Sequence, residues 1–104
     1  MMRLATPRVH LNGTSRQELL LLNLDALDAI GNAITALHKA APHPRDYYPI
    51  DDDAFGEARS EHEMRLQMLT DVYDEIRRIA EAINKQGPTA IMPAQPIGRA
   101  VSVR

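Results

Sequence analysis

The sequence lacks cysteine and tryptophan and has few aromatic residues of any kind. Without cysteine, neither a disulfide framework nor a thiolate metal site can form. The four histidines, at positions 10, 38, 43 and 62, are scattered and show no spacing typical of metal ligands. A chain of 104 residues predicts one domain with a small core, so these absences favour stabilisation by oligomerisation.

Basic charge and long apolar runs are also missing. The formal net charge is −2, which disfavours binding to DNA or RNA. The longest apolar run, Leu19 to Leu22, is far short of the roughly 20 residues that span a membrane. The first five residues lack the apolar core of a secretory signal, and a cytoplasmic location without membrane contact is expected.

Turn and stop signals predict an all-α fold, an antiparallel two-helix hairpin in an oligomeric bundle. An extended N-terminal lead precedes the hairpin, and a proline-rich C-terminal tail follows it. The expected segments of the single domain, residues 1–104, are the lead 1–13, helix 1 over 14–41, a loop 42–52, helix 2 over 53–86 and the tail 87–104.

Helix 1 has a clear predicted start, because Ser15 and Glu18 match the S-x-x-E capping box. Gly31 lies inside this helix, where it would permit a close helix contact. Apolar residues recur with helical spacing at positions 19, 20, 22, 24, 27, 30, 33, 34 and 37. The opposite, polar face is expected to carry Asp25, Asp28, Asn32, Thr35 and Lys39.

Helix 2 is expected to contact helix 1 through a seam of Phe55, Ala58, His62, Leu66, Leu69, Tyr73, Ile76, Ala80 and Ile83. Met68, Val72 and Ile79 are expected to widen this seam. Because helix 2 is the longer helix, its last turns need a cover, either the N-terminal lead or another subunit. Residues 8–11 alternate like a short strand, which could pair with a strand at 97–103 or with a partner chain.

The turn of Asn12, Gly13, Thr14 and Ser15 is the first candidate site. A glycine turn that opens a helix offers free N–H groups to a phosphate. The alternative is that Thr14 and Ser15 only cap the helix. The turn does not match the GxxxxGK[ST] loop, so hydrolysis of nucleoside triphosphates is not indicated.

The loop residues Arg45, Asp46, Tyr47 and Tyr48 are the second candidate site. Tyrosine rings can stack on a base, and an arginine can bind a phosphate. The alternative is that the tyrosines close the end of the hairpin while Arg45 and Asp46 form a surface ion pair.

His62 and Arg65 on helix 2 are the third candidate site. Arg65 lies seven residues before Val72 and fourteen before Ile79, so it shares the apolar stripe of helix 2 with them. A charge on an apolar stripe needs a partner. That partner is either a carboxylate, such as Glu61, Asp25 or Asp28, or a ligand phosphate. No paired carboxylates or nucleophile arrangement stands out, so neither catalytic residues nor a metal or cofactor is expected, and the chain is expected not to be an enzyme.

Over about residues 9–86, the chain resembles small helical reading frames of phages. The segments that carry the resemblance are residues 9–15, residues 45–48, and Glu61, His62 and Arg65. In build, the chain also resembles the phage sponge proteins that sequester nucleotide immune signals. These include the anti-CBASS and anti-Thoeris sponges, among them the family called Sequestin.

The resemblance implies a homo-oligomeric anti-defence protein in the infected bacterium, which binds a cyclic nucleotide or a cyclic ADP-ribose-type signal without cleaving it. Asn12, Gly13, Thr14 and Ser15 would hold phosphate, and Tyr47 and Tyr48 would stack on the base. Arg45 and Arg65 would neutralise charge, and His10 or His62 would bind base or ribose, in a site between subunits. The alternative is a structural or adaptor hairpin, virion-associated or bound to a host protein.

Overall fold

A computed structural model describes residues 4–86 of the chain. Two long α-helices pack against each other, and this part of the chain contains no β-strand. The helices run antiparallel, because Arg16 at the start of the first reaches Asn84 near the end of the second. The expected all-helical hairpin is therefore confirmed, while the tail 87–104, including the expected strand at 97–103, lies outside the described residues.

Helix α1 covers Arg16–Lys39. Its N-cap is Ser15, whose hydroxyl oxygen accepts a hydrogen bond from the backbone N–H of Glu18 at 3.1 Å, as the capping pattern predicts. His38 and Lys39 in the last turn suit the negative end of the helix dipole. The helix is slightly shorter than the predicted range 14–41, since the cap lies at Ser15 and the chain turns at Ala40 before Pro42.

The connection between the helices holds a short 3₁₀ helix, η1, at Pro44–Asp46. The imidazole of His43 caps it, with Nδ1 accepting a hydrogen bond from the N–H of Arg45 at 3.1 Å. Tyr47 then folds against Phe55, with their ring centroids 6.4 Å apart. The loop is thus built by local caps and one aromatic contact.

Helix α2 covers Ala54–Gln86 and is about 50 Å long, against about 36 Å for α1. A carboxylate oxygen of Asp51 accepts a hydrogen bond from the N–H of Asp53 at 2.9 Å just before the helix begins. This start agrees closely with the predicted residue 53. Because Arg16 in the first turn of α1 reaches Asn84, the extra length of α2 lies at its N-terminal end, next to the loop.

The buried core of the described residues is very small. Ala80 and Ile83 are its only apolar members, and His62 is the one buried polar residue. No residue of α1 is buried. The seam is occupied as predicted at these three positions, but the expected widening by Met68 and Val72 is wrong, since they are 58% and 43% exposed.

The helix 1 stripe is also narrower than predicted. Leu22 and Leu24 are exposed, because a single facing helix covers only one side of α1. The polar positions expected on the opposite face are all exposed, as predicted.

The N-terminal lead covers the last turns of α2. The side-chain amide of Gln86 binds it from both sides: the N–H of Val9 donates to Oε1 at 2.7 Å, and Nε2 donates to the carbonyl of Pro7 at 2.9 Å. The lead is thus attached to the end of α2, and the first turn of α1 reaches the same end through Arg16 and Asn84. The expectation that the last turns of helix 2 project beyond helix 1 is therefore wrong. The predicted strand at 8–11 does not form, because these backbone groups meet a side-chain amide and a turn rather than a neighbouring strand.

By length and composition alone, α1 is apolar enough to cross a membrane, with a mean hydropathy of 1.3 over its most apolar window. The expectation that no segment could span a membrane was based on uninterrupted apolar runs and was too strict. This property is weak evidence, because an apolar helix near an N-terminus is also common in proteins that never enter a membrane.

Candidate functional site

The turn before α1 brings His10 and Gly13 together. The N–H of Gly13 donates to the carbonyl of His10 at 3.1 Å. A Cβ at position 13 would come 2.7 Å from His10 Nε2, so any other residue would push the imidazole aside. Asn12 and Thr14 are exposed, and the Ser15 oxygen is used as a helix cap. The capping interpretation thus holds for Ser15.

The loop separates its two tyrosines. Tyr47 is half-buried against Phe55, and the guanidinium of Arg59 lies 6.0 Å from the centre of the same Phe55 ring. Tyr48, in contrast, is 74% exposed. The interpretation that both tyrosines close the hairpin end is therefore right for Tyr47 and wrong for Tyr48. Arg45 is exposed and forms no ion pair with Asp46 within residues 4–86, contrary to the expected surface pair.

His62 lies in the helix seam with only 6% of its surface exposed, and its Nε2 has no hydrogen-bond partner among residues 4–86. Arg65 lies one turn further along but faces solvent. Its guanidinium is 3.7 Å from a carboxylate oxygen of Glu61, and both side chains are more than half exposed. Of the two expected partners of Arg65, the structure shows the carboxylate of Glu61. The stripe that Arg65 shares with Val72 is exposed at both positions.

The three candidate sites are far apart within one chain. The turn lies beside Asn84, and Tyr47 lies beside Phe55, at the other end of α2. At 1.5 Å per residue these two points are about 44 Å apart, and His62 is about 10 Å from the Phe55 end. The structure therefore does not bring the predicted ligand residues together in one protomer.

A shallow groove lies between the helices on another side of the hairpin, and no sequence pattern predicted it as a site. It contains none of the predicted ligand residues. Asp28 is its one charged group, so it does not suit an anionic ligand. Its lining residues are Leu24, Leu27, Asp28, Gly31, Asn32, Thr35 and Tyr73.

The charged groups of α2 neutralise one another. Arg77 contacts both Asp74 and Glu81, and the hydrogen bond to Asp74 with these two negative charges raises the pKa of its guanidinium. Arg78 also lies 3.7 Å from Asp74. Within the described part of the chain, no group of histidine and carboxylate side chains is arranged to hold a metal ion.

Exposed apolar side chains are the most extensive surface feature. They occur on both helices, and the described residues include large examples at 45–64% exposure. These are Leu21, Leu22 and Leu24 on α1, and Met64 and Met68 on α2. Exposed apolar side chains that cluster on one side of a protein mark interaction surfaces.

Comparison with protein-family models, with curated proteins and with solved structures finds no match to this chain.

Proposed function

We propose that this chain is a structural or adaptor helical hairpin that works by binding protein, without a catalytic role. The observation that carries the proposal is the outward placement of apolar side chains: Leu22, Met68 and Val72 are exposed, while α1 has no buried residue. Burying apolar surface is the main driving force of protein association, at about 25 cal/mol per Å². A partner surface would bury the apolar side chains that one hairpin leaves exposed.

The resemblance of residues 9–86 to small phage reading frames supports an origin in a phage and a place of action in the cytoplasm of the infected bacterium. The protein partner would then be a virion component, a host protein or another copy of the chain.

A photo-crosslinking residue at Met68 tests this proposal in cells that produce the protein. The matched control is the same residue at Thr70, which is also exposed but lies about 160° further around α2. We expect protein adducts from position 68 and few from position 70, identified by mass spectrometry. Equal adducts from both positions, or none from either, would contradict the proposal.

A second candidate function is sequestration of a nucleotide-derived signal. It is supported by the exposed ring of Tyr48 and the exposed Arg45, three residues before it, because a free ring and a free guanidinium can bind base and phosphate. His10, Asn12, Gly13, Thr14, Ser15, Tyr47, His62 and Arg65 would complete the ligand set. Since these residues are spread along the hairpin, that site requires more than one chain.

A thermal-shift panel of cyclic dinucleotides, cyclic trinucleotides and ADP-ribose derivatives tests this candidate. A ligand at 100 times its Kd adds about 2.7 kcal/mol, which raises the Tm of a small domain by several degrees. Sequestration predicts such a shift, its loss in Tyr48→Ala, and recovery of intact ligand after heating. A panel without any shift would remove this candidate for those ligands.

A further inference from the structure

Helix α1 carries a second apolar seam beside the one that contacts α2. Its members alternate at spacings of three and four residues, the repeat of helices that pack side by side: Leu19, Leu22, Ala26, Ala29, Ala33 and Ala36. On α2 the same alternation runs through Arg65, Met68, Val72, Glu75, Ile79 and Ala82. Arg65 lies at one end of this run, and Glu75 interrupts it between Val72 and Ile79.

Both second seams lie on one side of the hairpin. At about 100° per residue, the α1 seam lies roughly 100° from the line through Leu27 and Ile34, which faces α2. On α2, the second seam lies roughly 100° from the line through His62 and Ala80. This rotation has the same sense as the rotation on α1. Because the helices run antiparallel, equal rotations turn both seams to the same side.

We call this surface the apolar face. Its members are Leu22, Ala26, Ala29, Ala33, Met68, Val72 and Ile79. The other side of the hairpin is more polar, since the groove with Asp28, Asn32 and Thr35 lies there, although the exposed Leu24 also lines it.

The apolar face is close to the lower size limit of a specific interface. The second seams run over about 17 residues on each helix, about 26 Å. Across two helices whose axes are typically 8–10 Å apart, the face is about 20 Å wide. That is roughly 500 Å² on each partner, or about 1,000 Å² for two faces, the least that a specific complex is expected to bury.

A second copy of the chain fits this face better than a membrane does. Asp25 and Asp28 lie near the middle of α1, where each would cost about 2.5–3.5 kcal/mol in a bilayer, while they stay exposed when only the apolar face is covered. The hairpin also needs its cover in order to fold, because α1 has no buried residue. A second copy is present wherever the chain is made, which is the logic of obligate dimers.

The side-chain sizes specify how two copies meet. The α1 seam is mostly alanine at Ala26, Ala29 and Ala33, and the α2 seam presents the larger Met68 and Val72. Large residues pack best opposite small ones, so α1 of each copy should face α2 of the other. A two-fold axis parallel to the helices does this, and it makes every neighbouring pair antiparallel, as the helix dipoles favour.

We propose that two copies pack through their apolar faces into a four-helix bundle, with Ala29 and Ala33 of each chain opposite Val72 and Met68 of the other. This inference rests on the proposed protein-binding function and names its first partner. In this bundle both tyrosine loops lie at one end and both Asn12–Ser15 turns at the other. A ligand shared between a turn and a loop would then need further copies.

Sedimentation equilibrium of the full chain is the first test. We expect twice the 11.6 kDa of one chain and a Tm that rises with protein concentration. Val72→Arg should abolish the dimer and lower the Tm at low concentration, while Thr70→Arg, on the polar side, should leave both unchanged. If Val72→Arg does not fold, the mass of the wild-type protein and the dependence of its Tm on protein concentration still decide whether the dimer forms. A wild-type monomer with a constant Tm would overturn the inference.

Cysteine cross-linking tests which helices face each other in the dimer. Because the chain has no natural cysteine, only the introduced thiols can form a disulfide. A disulfide forms only where two Cα atoms lie within about 7 Å. Refolding a mixture of Ala33→Cys and Met68→Cys chains should give a disulfide-linked pair with one chain of each kind. A strong Ala33→Cys pair with itself would overturn the arrangement.

The two proposals can fail separately. If the chain is a monomer but Met68 still crosslinks to a different protein, the dimer is wrong and the protein-binding function stands. If the dimer forms and position 68 captures only the same chain, the dimer stands, and binding to any other protein must use another surface.

Discussion

The two parts of α2 differ sharply although their residue types are alike. Near its C-terminal end, where the first turn of α1 and the N-terminal lead both reach α2, Ile83 is fully buried and Ala80 nearly so. In its middle, Val72 and Met68 are 43% and 58% exposed. The C-terminal end, with Ala80 and Ile83, is closed, whereas Met68 and Val72 lie on a neighbouring face that α1 does not cover. His62, on the same face as Ala80, is buried far from the lead. The face of α2 that meets α1 therefore decides where a core forms.

Truncation of Ile83 should have the largest effect. Ile83→Ala removes three buried carbons from the closed end and should cost about 2–5 kcal/mol of unfolding free energy. Leu21→Ala is the matched control at an exposed site outside the apolar face, and it should change stability by less than about 0.5 kcal/mol. Urea denaturation measures both. Equal losses would mean that the closed end is no better packed than the surface.

Removing the amide of Gln86 should open the closed end. Gln86→Ala deletes the hydrogen bonds to Pro7 and Val9 and should cost about 1–3 kcal/mol, because the lead then loses its attachment. Hydrogen exchange at the Val9 amide should become much faster. Gln86→Glu keeps the acceptor for Val9 and loses the donor to Pro7, so an intermediate loss is expected. Unchanged exchange in Gln86→Ala would show that other contacts hold the lead.

A small gain in stability is expected from the middle of the hairpin. A Cβ at Gly31 would lie 3.7 Å from Tyr73 Cε2, an ordinary contact, so Gly31→Ala fits without strain. It should stabilise the protein by about 0.5–1 kcal/mol through helix propensity and a less flexible unfolded chain. A higher Tm with an unchanged mass in sedimentation would agree. A lower Tm would show that Gly31 allows a closer helix contact than 3.7 Å implies.

The smallest effect is expected at Arg65. Its ion pair with Glu61 is exposed, so Arg65→Ala should change the unfolding free energy by less than about 0.5 kcal/mol. The matched Glu61→Ala variant should behave alike. A loss above 1 kcal/mol for Arg65→Ala alone would indicate a partner in the assembled protein, and a loss of nucleotide binding would favour the sequestration function.

Much of the fold could be predicted from local patterns. The S-x-x-E pattern located the α1 start at Ser15, and helical periodicity located His62 and Ile83 in the contact seam. These signals work because caps and helical faces depend on residues only a few positions apart. The candidate site was less predictable, since Tyr47 and Tyr48 are neighbours in a loop and only packing against Phe55 separates their roles.

By itself, the sequence determined two amphipathic helices, their caps and the polar side with Asp25 and Asp28. The tertiary structure decided that Gln86 holds the lead over Ile83, and that Met68 and Val72 stay outside the seam. The reason is physical: a periodic pattern tells which side of a helix is apolar, but the extent of burial depends on how many segments arrive to cover it. In this hairpin one helix and a short lead arrive, and the remaining apolar face is left open for a partner.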